Sequence, residues 1–281
     1  MNAVRLIQSG LCDAATNMAV DEALFLSYGQ AASHPVLRLY GFDPAAFSVG
    51  QSQAVQEILN AQACRDDGIG IVRRPTGGGI LFHDDEVTYS LILSQKDIGP
   101  SLGVKESFET ITSFLIDAYG ALGLQADFAK NINPDPGACH DVAGFCLSRK
   151  ELYDILVYGK KLGGNAQKRR KNVILQHGSI PLTLDKTKIQ RYGLAPYFFD
   201  AVQATSLTQA AGRRISRNEV VAALRTAFCR HFNARLKEDT LTGEEKDLAE
   251  ELKLNKYDTQ GWNGHRIAPP NPLDHGILAK T

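Results

Sequence analysis

The sequence predicts an α+β fold, and three observations carry that reading. Strand patterns crowd the middle of the chain, with helices interspersed and no regular βαβ rhythm. Glu86 to Ser94 places Val87, Tyr89, Leu91 and Leu93 at a period of two, which predicts a half-buried strand. Phe108, Ile111, Leu115, Ala118 and Leu122 recur at helical spacing, so about 104–122 is predicted as an amphipathic helix on a sheet.

The remaining elements follow in order. Residues about 3–8 read as a strand, and about 13–30 as a helix ending near Gly29. Val36–Tyr40 and Ala45–Val49 read as short strands, with Gly41 and Asp43-Pro44 supplying the turn. A helix is expected over 54–65 and a strand over Ile69–Arg73. Residues 130–145 are rich in Asn, Asp, Pro and Gly and read as an irregular loop. From 151 to 184 the pattern is strand, turn, strand, turn, strand, and Pro181, which has no amide to donate, marks a strand end or an edge. The last part reads as helical. Ser216-x-x-Glu219 and Thr242-x-x-Glu245 fit the capping box, in which hydroxyl and carboxylate satisfy amides of the first turn. The tail beyond Trp262, with Pro269, Pro270 and Pro272, reads as a loop.

Composition narrows the function classes. A length of 281 residues suits one large domain or a domain with a small appendage, and 43% apolar residues can build a sizeable core. With 31 basic and 31 acidic residues, the balance gives no reason to expect nucleic acid or a membrane surface as partner. No apolar run approaches the ~18 residues of a membrane span, and the N-terminus lacks the apolar run of a signal peptide. The five cysteines, Cys12, Cys64, Cys139, Cys146 and Cys229, are scattered and form no Cys-x-x-Cys pair. Free thiols in a reducing cytoplasm are the expectation. The seven histidines show no close ligand spacing, so no metal site is expected.

Two segments carry candidate chemistry. Arg73-Arg74-Pro75-Thr76-Gly77-Gly78-Gly79 precedes Ile80-Leu81-Phe82-His83-Asp84. Three glycines strip side chains from the backbone, so a ligand can lie against the main chain, and two arginines can contact an anion. A flexible hairpin turn beside a basic strand end would use the same residues. The run lacks the G-x-G-x-x-G spacing of a dinucleotide fold and the Gly-Lys-Ser/Thr of a P-loop. The second segment holds Cys146, then Lys160-Lys161-Leu162-Gly163-Gly164-Asn165-Ala166-Gln167, then Gln176-His177-Gly178-Ser179. A thiolate attacks a thioester carbonyl well when a neighbouring cation lowers its pKa, and Lys161 can supply that charge or act as base. Taken singly, each residue has a plain structural use: a small buried cysteine, a surface lysine, a satisfied histidine.

In combination, these residues resemble the lipoate–protein ligase and octanoyltransferase superfamily. Arg73 to Gly79 followed by His83-Asp84 is similar to its R-R-x-[ST]-G-G-G-x-x-x-H-D signature, and Lys161-x-x-Gly164-x-Ala166-Gln167 to its lysine motif. Gln176 to Ser179, Asn17 to Glu22, Ser48 to Gln51, and Lys256-Tyr257 with Trp262-Asn263 resemble further motifs in the same order. The resemblance implies a mixed-sheet catalytic domain of the biotin/lipoate protein ligase type over 1–281, helical from about 216, in which the glycine and lysine strands line an acyl tunnel. It also implies two chemistries, and a non-catalytic acyl-binding paralogue is a third reading. ATP-dependent ligases form an acyl-adenylate. Cysteine-dependent octanoyltransferases take octanoate from acyl carrier protein through an enzyme thioester, require no cofactor, and deliver to a lysine of a lipoyl domain or glycine-cleavage H protein. Their cysteine lies seven residues before a tyrosine and fifteen before the lysine. Cys146, Tyr153 and Lys161 reproduce that spacing; Cys139 does not. Cys146 and Lys161 are thus the expected catalytic pair. Arg73, Arg74, Thr76, Gly77, Gly78, Gly79, His83, Gly164, Asn165, Ala166, Gln176, His177 and Gly178 are the expected substrate contacts. Asn165 and Gly163 depart from the family's usual serine and alanine, and the residues following Cys146 depart from its usual aromatic and proline.

Overall fold

The structure is a computed structural model that describes residues 1, 3–29, 34–99, 102–132, 151–194 and 204–270. Its main sheet has six strands. They are β1 (Ala3–Cys12), β2 (Val36–Phe42), β6 (Glu86–Ser94), β10 (Gly164–Arg170), β11 (Val173–Pro181) and β13 (Arg235–Asp239), in the order β10-β11-β6-β2-β1-β13. The four strands from β10 to β2 pair antiparallel, whereas β2, β1 and β13 run parallel. The parallel β1–β2 pair is joined through α1 (Ala14–Ser27), which returns across one face of the sheet. A three-stranded sheet is built from β3 (Ala46–Val49), β4 (Gly70–Arg73) and β5 (Leu81–His83), with β3 in the centre. A four-stranded sheet contains β7 (Ala126–Phe128), β8 (Ile155–Val157), β9 (Lys160–Leu162) and β12 (Ala204–Thr205).

Helices cover both faces of the main sheet. One core joins Val87, Tyr89, Leu91 and Leu93 of β6 to Ile111, Phe114 and Leu115 of α4 (Val104–Ala121) and to Leu224 and Phe228 of α8 (Arg217–Phe232). The other joins Ile92 and Leu175 to α1 and to α9 (Gly243–Leu252). This corrects the half-buried reading of β6. Its second face is buried too, with Thr88 at 3% and Ser90 at 0% exposure, because polar residues there bond to groups on α1 and β11 and not to water.

Three further differences have local causes. The helix expected over 54–65 is two short ones, α2 (Val55–Ile58) and α3 (Ala61–Asp66). Leu59 bridges to Gly193 between them, and the Asn60 side chain caps α3 through the Ala63 amide at 3.1 Å. The C-terminal part contains the strand β13, whose sequence lacks strand alternation. Backbone pairing to β1 and the ion pair of Asp239 with Arg5 hold it there. The loop expected beyond Trp262 begins later, because the short helix α10 (Gln260–His265) runs three residues past it. The two expected capping boxes are both formed, and β11 ends at Pro181. Between β11 and α8 lie α6 (Lys186–Tyr192) and α7 (Leu207–Ala211), and α5 (Ala129–Ile132) follows β7.

The C-terminal segment closes on the N-terminal half through charge. A π-helical turn over Lys253–Tyr257 brings Lys256 Nζ to within 2.6 Å of Glu22 on α1, and the Tyr257 hydroxyl donates to the same carboxylate at 2.7 Å. The Arg73 guanidinium donates to the carbonyls of Gly50, Gln53, Trp262 and Asn263 at 2.7–2.9 Å. In return, Trp262 Nε1 donates to the Arg73 carbonyl at 2.8 Å, and Asn263 Oδ1 accepts from the Arg73 amide at 2.9 Å. Breaking a buried ion pair at one partner strands the other charge. Glu22→Gln is therefore expected to lower stability by about 3 kcal/mol, read as a fall in the denaturant midpoint. Glu22→Gln combined with Lys256→Met should recover most of that loss. An additive double variant would show that the pair does not hold the segment.

Candidate active site

The face of the main sheet under α1 carries three rows of residues aligned across the strands. Arg38, Ser90, His177 and Ala166 form one row, and Tyr40, Thr88, Ser179 and Gly164 the next. Phe42, Glu86 and Pro181 follow on the same face. A narrow cleft runs over the middle row. Its lining includes Tyr40, Thr88, Ser179 and Gly164 from that row, Met18 from α1, and Ser48, Leu81 and His83 from the small sheet.

Two buried chains of hydroxyl, imidazole and carboxylate flank this trench. In the first, Thr76 Oγ1 lies 2.7 Å from His177 Nε2, and His177 Nδ1 lies 3.3 Å from Asp21 Oδ2. Asp21 also accepts from Arg38 at 2.7 Å, and from the hydroxyls of Tyr40 and Ser90 at 2.8 Å. In the second, Ser48 Oγ lies 2.7 Å from His83 Nε2, and His83 Nδ1 lies 2.7 Å from Glu86 Oε1. Glu86 further accepts from the hydroxyls of Thr88 and Ser179. Burial opposes ionisation of Asp21, but Arg38, His177 and Tyr40 hold its pKa below the ordinary aspartate value. Burial likewise opposes ionisation of Glu86, and His83, Ser179 and Thr88 outweigh it. For His177, burial wins over the attraction of Asp21, and its pKa is lowered.

The predicted residues divide among several places. His83, His177, Arg74, Gly164, Asn165, Ala166 and Gly178 all line the trench. Thr76 reaches it through His177. Arg74 donates to the Ser48 carbonyl and hydroxyl and to the carbonyls of Gly77 and Gly79, so it braces the loop between β4 and β5. Gly77 and Gly78 are exposed, and Gly79 is partly so. Gly78 sits at φ 90°, where a side chain is strained, and a Cβ there would meet the Arg74 guanidinium at 3.1 Å. A Cβ on Gly50 would overlap the Gly78 carbonyl oxygen, so the loop packs backbone to backbone against Gly50. Arg73 serves the C-terminal clasp described above, its guanidinium being turned to main-chain carbonyls. Gln176 alternates away from His177 to the opposite face, where Gln167 donates to it at 3.1 Å. Asn165 accepts from the Tyr89 hydroxyl at 2.7 Å, and a Cβ on Gly178, its register partner, would overlap its side-chain oxygen.

Lys161 is buried on β9 at 2% exposure while Lys160 is exposed, as alternation along a strand requires. Lys161 Nζ is 2.6 Å from Asp154 Oδ2, and the Glu151 amide donates to the same oxygen at 2.6 Å. Burial pushes the Asp154 carboxyl up from its ordinary value against the pull of the Lys161 ammonium. β9 passes into β10 at Gly163, whose φ is 70° and where a Cβ would overlap the Ser179 carbonyl oxygen. Lys161 thus stands three residues from Gly164, at most about 11 Å along the chain from the trench. Cys146 and Cys139 lie outside the described residues. Asp21, Glu86, Asp154, Phe42 and Ser179 were not anticipated as site residues. The available signal was the run of hydroxyls and carboxyls on the even face of β6, which a half-buried strand would have turned to water.

The family model for the lipoyl protein ligase A/B catalytic domain matches residues 13–229, which span α1, the glycine loop, the lysine strand and both walls of the trench. The chain belongs to that family. Among its relatives is the octanoyltransferase LipM of Kyrpidia tusciae, 38% identical over 94% of this chain and 99% of the relative. Among solved structures, lipoate-protein ligase A bound with ATP superposes with a TM-score of 0.80 at 27% identity, covering 95% of this chain and 100% of that one. A bipartite lipoate protein ligase from Thermoplasma acidophilum, described with its E2 lipoyl domain, gives 0.77 at 25%, covering 96% and 98%. The mixed α+β architecture of this lipoyl ligase family is therefore the one expected from the sequence. No helix among the described residues is long and apolar enough to cross a membrane. No group of three or more His, Cys, Asp and Glu side chains able to hold a metal occurs among them.

The buried titrating groups predict an acid profile with two phases. An unfolded histidine takes up its proton near pH 6.5, and folded His177 refuses it until lower pH, so stability falls as pH drops below about 6.5. Asp21 and Glu86 have lowered pKa values, so their contribution is present above the ordinary carboxylate range, about 4, and is lost as pH falls below it. Urea midpoints measured from pH 8 to pH 3 should show both phases. His177→Gln should flatten the first and leave the second; an unchanged slope between pH 6.5 and 4.5 would assign that phase to another group.

Proposed function

We propose that the chain moves an octanoyl group from acyl carrier protein through a Cys146 thioester to a lysine of a lipoyl domain or a glycine-cleavage H protein. The activity is octanoyl transfer in lipoate biosynthesis, and the protein is an acyltransferase. The single observation that supports the residue-level reading is the buried Lys161, three residues from an apolar trench, at the spacing from Cys146 that this chemistry uses.

The chemistry assigned to the chain's own groups is as follows. The Cys146 thiolate adds to the thioester carbonyl, and the carrier thiol departs with a proton. The acceptor amine then adds to the acyl-cysteine carbonyl, an amide forms, and the Cys146 thiol is released. Lys161 favours the thiolate by its charge and passes a proton to the departing thiol, while Asp154 orients its ammonium. Burying the seven carbons beyond the carbonyl contributes about 6 kcal/mol at ~0.8 kcal/mol per methylene, which is enough to hold the chain in register for attack. No ATP is needed, since the thioester already activates the carbonyl. A cytoplasmic location with reduced thiols suits this chemistry.

Intact-protein mass spectrometry after mixing with octanoyl carrier protein, without ATP, tests the reading. A hydroxylamine-labile adduct is expected, absent in Cys146→Ser. Full transfer by Cys146→Ser with loss in Cys139→Ser would move the nucleophile. A strict ATP requirement, with no effect of either change, would establish the ligase reading in its place. Lys161→Ala should slow both half-reactions by about 10²-fold or more, and Lys160→Ala should leave them unchanged. Rescue by Lys161→Arg would mean that charge suffices, because arginine does not release its proton.

A further inference from the structure

The chain as a whole is electrically neutral, yet Lys168-Arg169-Arg170-Lys171 sets four cations in a row where β10 turns into β11. Alternation along the strand sorts them. Arg169 takes the α4 side, where it donates to the Gly103 carbonyl and to Gln167, each at 3.0 Å. Lys168 and Arg170 take the other side, the one on which Gly164 and Ala166 line the trench. Lys171 sits in the turn, exposed. Lys168 and Arg170 are half-buried, and among the described residues neither side chain pairs with a carboxylate. Glu22 acts on Lys168 from α1, one turn beyond Met18 of the trench lining, but its carboxylate is already held by Lys256 and Tyr257. Lys168, Arg170 and Lys256 thus share one carboxylate, which leaves two positive charges unmet. Burial lowers the Lys168 pKa; Glu22 opposes that shift, and Lys256 and Arg170 add to it. An anion from outside the chain would offset the repulsion. The arginines expected to receive an anion, Arg73 and Arg74, donate instead to main-chain carbonyls.

The donor proposed above brings such an anion. Acyl carrier protein holds its acyl group as the thioester of a phosphopantetheine arm. Roughly 13 bonds separate the sulfur from the phosphorus, and at about 1.2 Å per bond of extended chain they span about 16 Å. Measured along β10 from Gly164, Lys168 lies about 13 Å away and Arg170 about 20 Å away. Gly164 is itself three residues from Lys161. With the thioester beside Lys161 and Gly164, an arm laid along β10 therefore brings its phosphate between Lys168 and Arg170. β10 is the edge of the main sheet among the described residues, so its outward backbone groups can pair with the two amides of the arm. We infer that Lys168 and Arg170 form a phosphate subsite for the carrier's pantetheine arm, which lies along the edge of β10. The inference rests on the carrier-donor reading above.

S-octyl phosphopantetheine and S-octyl pantetheine are thioethers that cannot acylate a thiol, so calorimetry with the pair reads the subsite without transfer. The native chain should bind the phosphorylated compound at least about tenfold more tightly, the scale of charge-assisted hydrogen bonds to phosphate. The ratio should fall as salt rises from about 50 mM to about 500 mM. Lys168→Met keeps most of the stem without its charge, and should lower the ratio at least about threefold. Arg170→Met should lower it too, and serves if the Lys168 variant does not fold. Lys168→Arg should preserve it. Lys237→Met, on β13 at the opposite edge of the sheet, should change nothing. Equal binding of both compounds by the native chain, or an unchanged ratio in folded Lys168 and Arg170 variants, would overturn the subsite. ATP binding more tightly than the phosphorylated thioether, and lost in Lys168→Met, would assign the cations to a nucleotide phosphate and overturn the arm. Absence of transfer with the tenfold ratio intact would instead overturn the transferase reading and leave the subsite standing.

Discussion

A carboxylate cannot be taken out of water unless every lone pair it exposes is met, and Asp21 is taken out completely. It sits mid-helix on α1 and collects an arginine from β2, a tyrosine from β2, a serine from β6 and a histidine from β11. Each of those donors is a constraint on the position of α1 over the sheet. If the helix shifts along its axis, the charge loses partners it cannot replace. The height of α1 above the strands, and with it the trench beneath, follows from satisfying that one group. The glycine loop is drawn into the same arrangement, because Thr76 bonds the far nitrogen of the histidine that Asp21 orients.

The second chain, through Ser48, His83 and Glu86, repeats the device on the other wall. Both imidazoles have each nitrogen engaged, so what they offer the cavity is ring carbon. An apolar channel can thereby be lined with serine, threonine and histidine without leaving a polar atom unmet. Two consequences follow for function. The walls are stiff, since moving any member breaks several hydrogen bonds at once. They also resist acid only as far as the histidine on α1's side stays neutral, which ties the shape of the channel to protonation.

The parts of this arrangement that depend on periodicity were legible in the sequence. Val87, Tyr89, Leu91 and Leu93 announced β6, the two capping boxes announced α8 and α9, and the neighbouring lysines at 160 and 161 point to opposite sides as a strand requires. What periodicity cannot convey is who meets a polar side chain once it is buried. Thr88 and Ser90 therefore read as a wet face, although they lie in the interior beside two carboxylates. Arg73 read as a ligand for an anion because it precedes three glycines. Its partners are carbonyls 20 to 23 positions upstream and 189 to 190 positions downstream, and no local pattern registers them. β13 escaped notice for the converse reason: its strand character comes from the neighbour it pairs with, and its own residues, Arg235, Lys237, Glu238 and Asp239, look like an exposed loop. The aromatic stack of Phe42 on His83 was equally invisible, since it joins strands of two different sheets.

The clasp between the chain's two ends bears on how the protein comes into being on the ribosome. Glu22 and Arg73 precede their partners Lys256, Tyr257, Trp262 and Asn263 by 189 to 235 positions. Until that segment is made, the Glu22 carboxylate lacks the lysine and the tyrosine that meet it in the finished fold. Asp21 by contrast finds its partners on β2, β6 and β11, so α1 is already held over the sheet while Glu22 waits. The residues that line the channel all precede position 180, so its walls are set by the Asp21 and Glu86 networks, and the clasp adds a later constraint on α1 and β4.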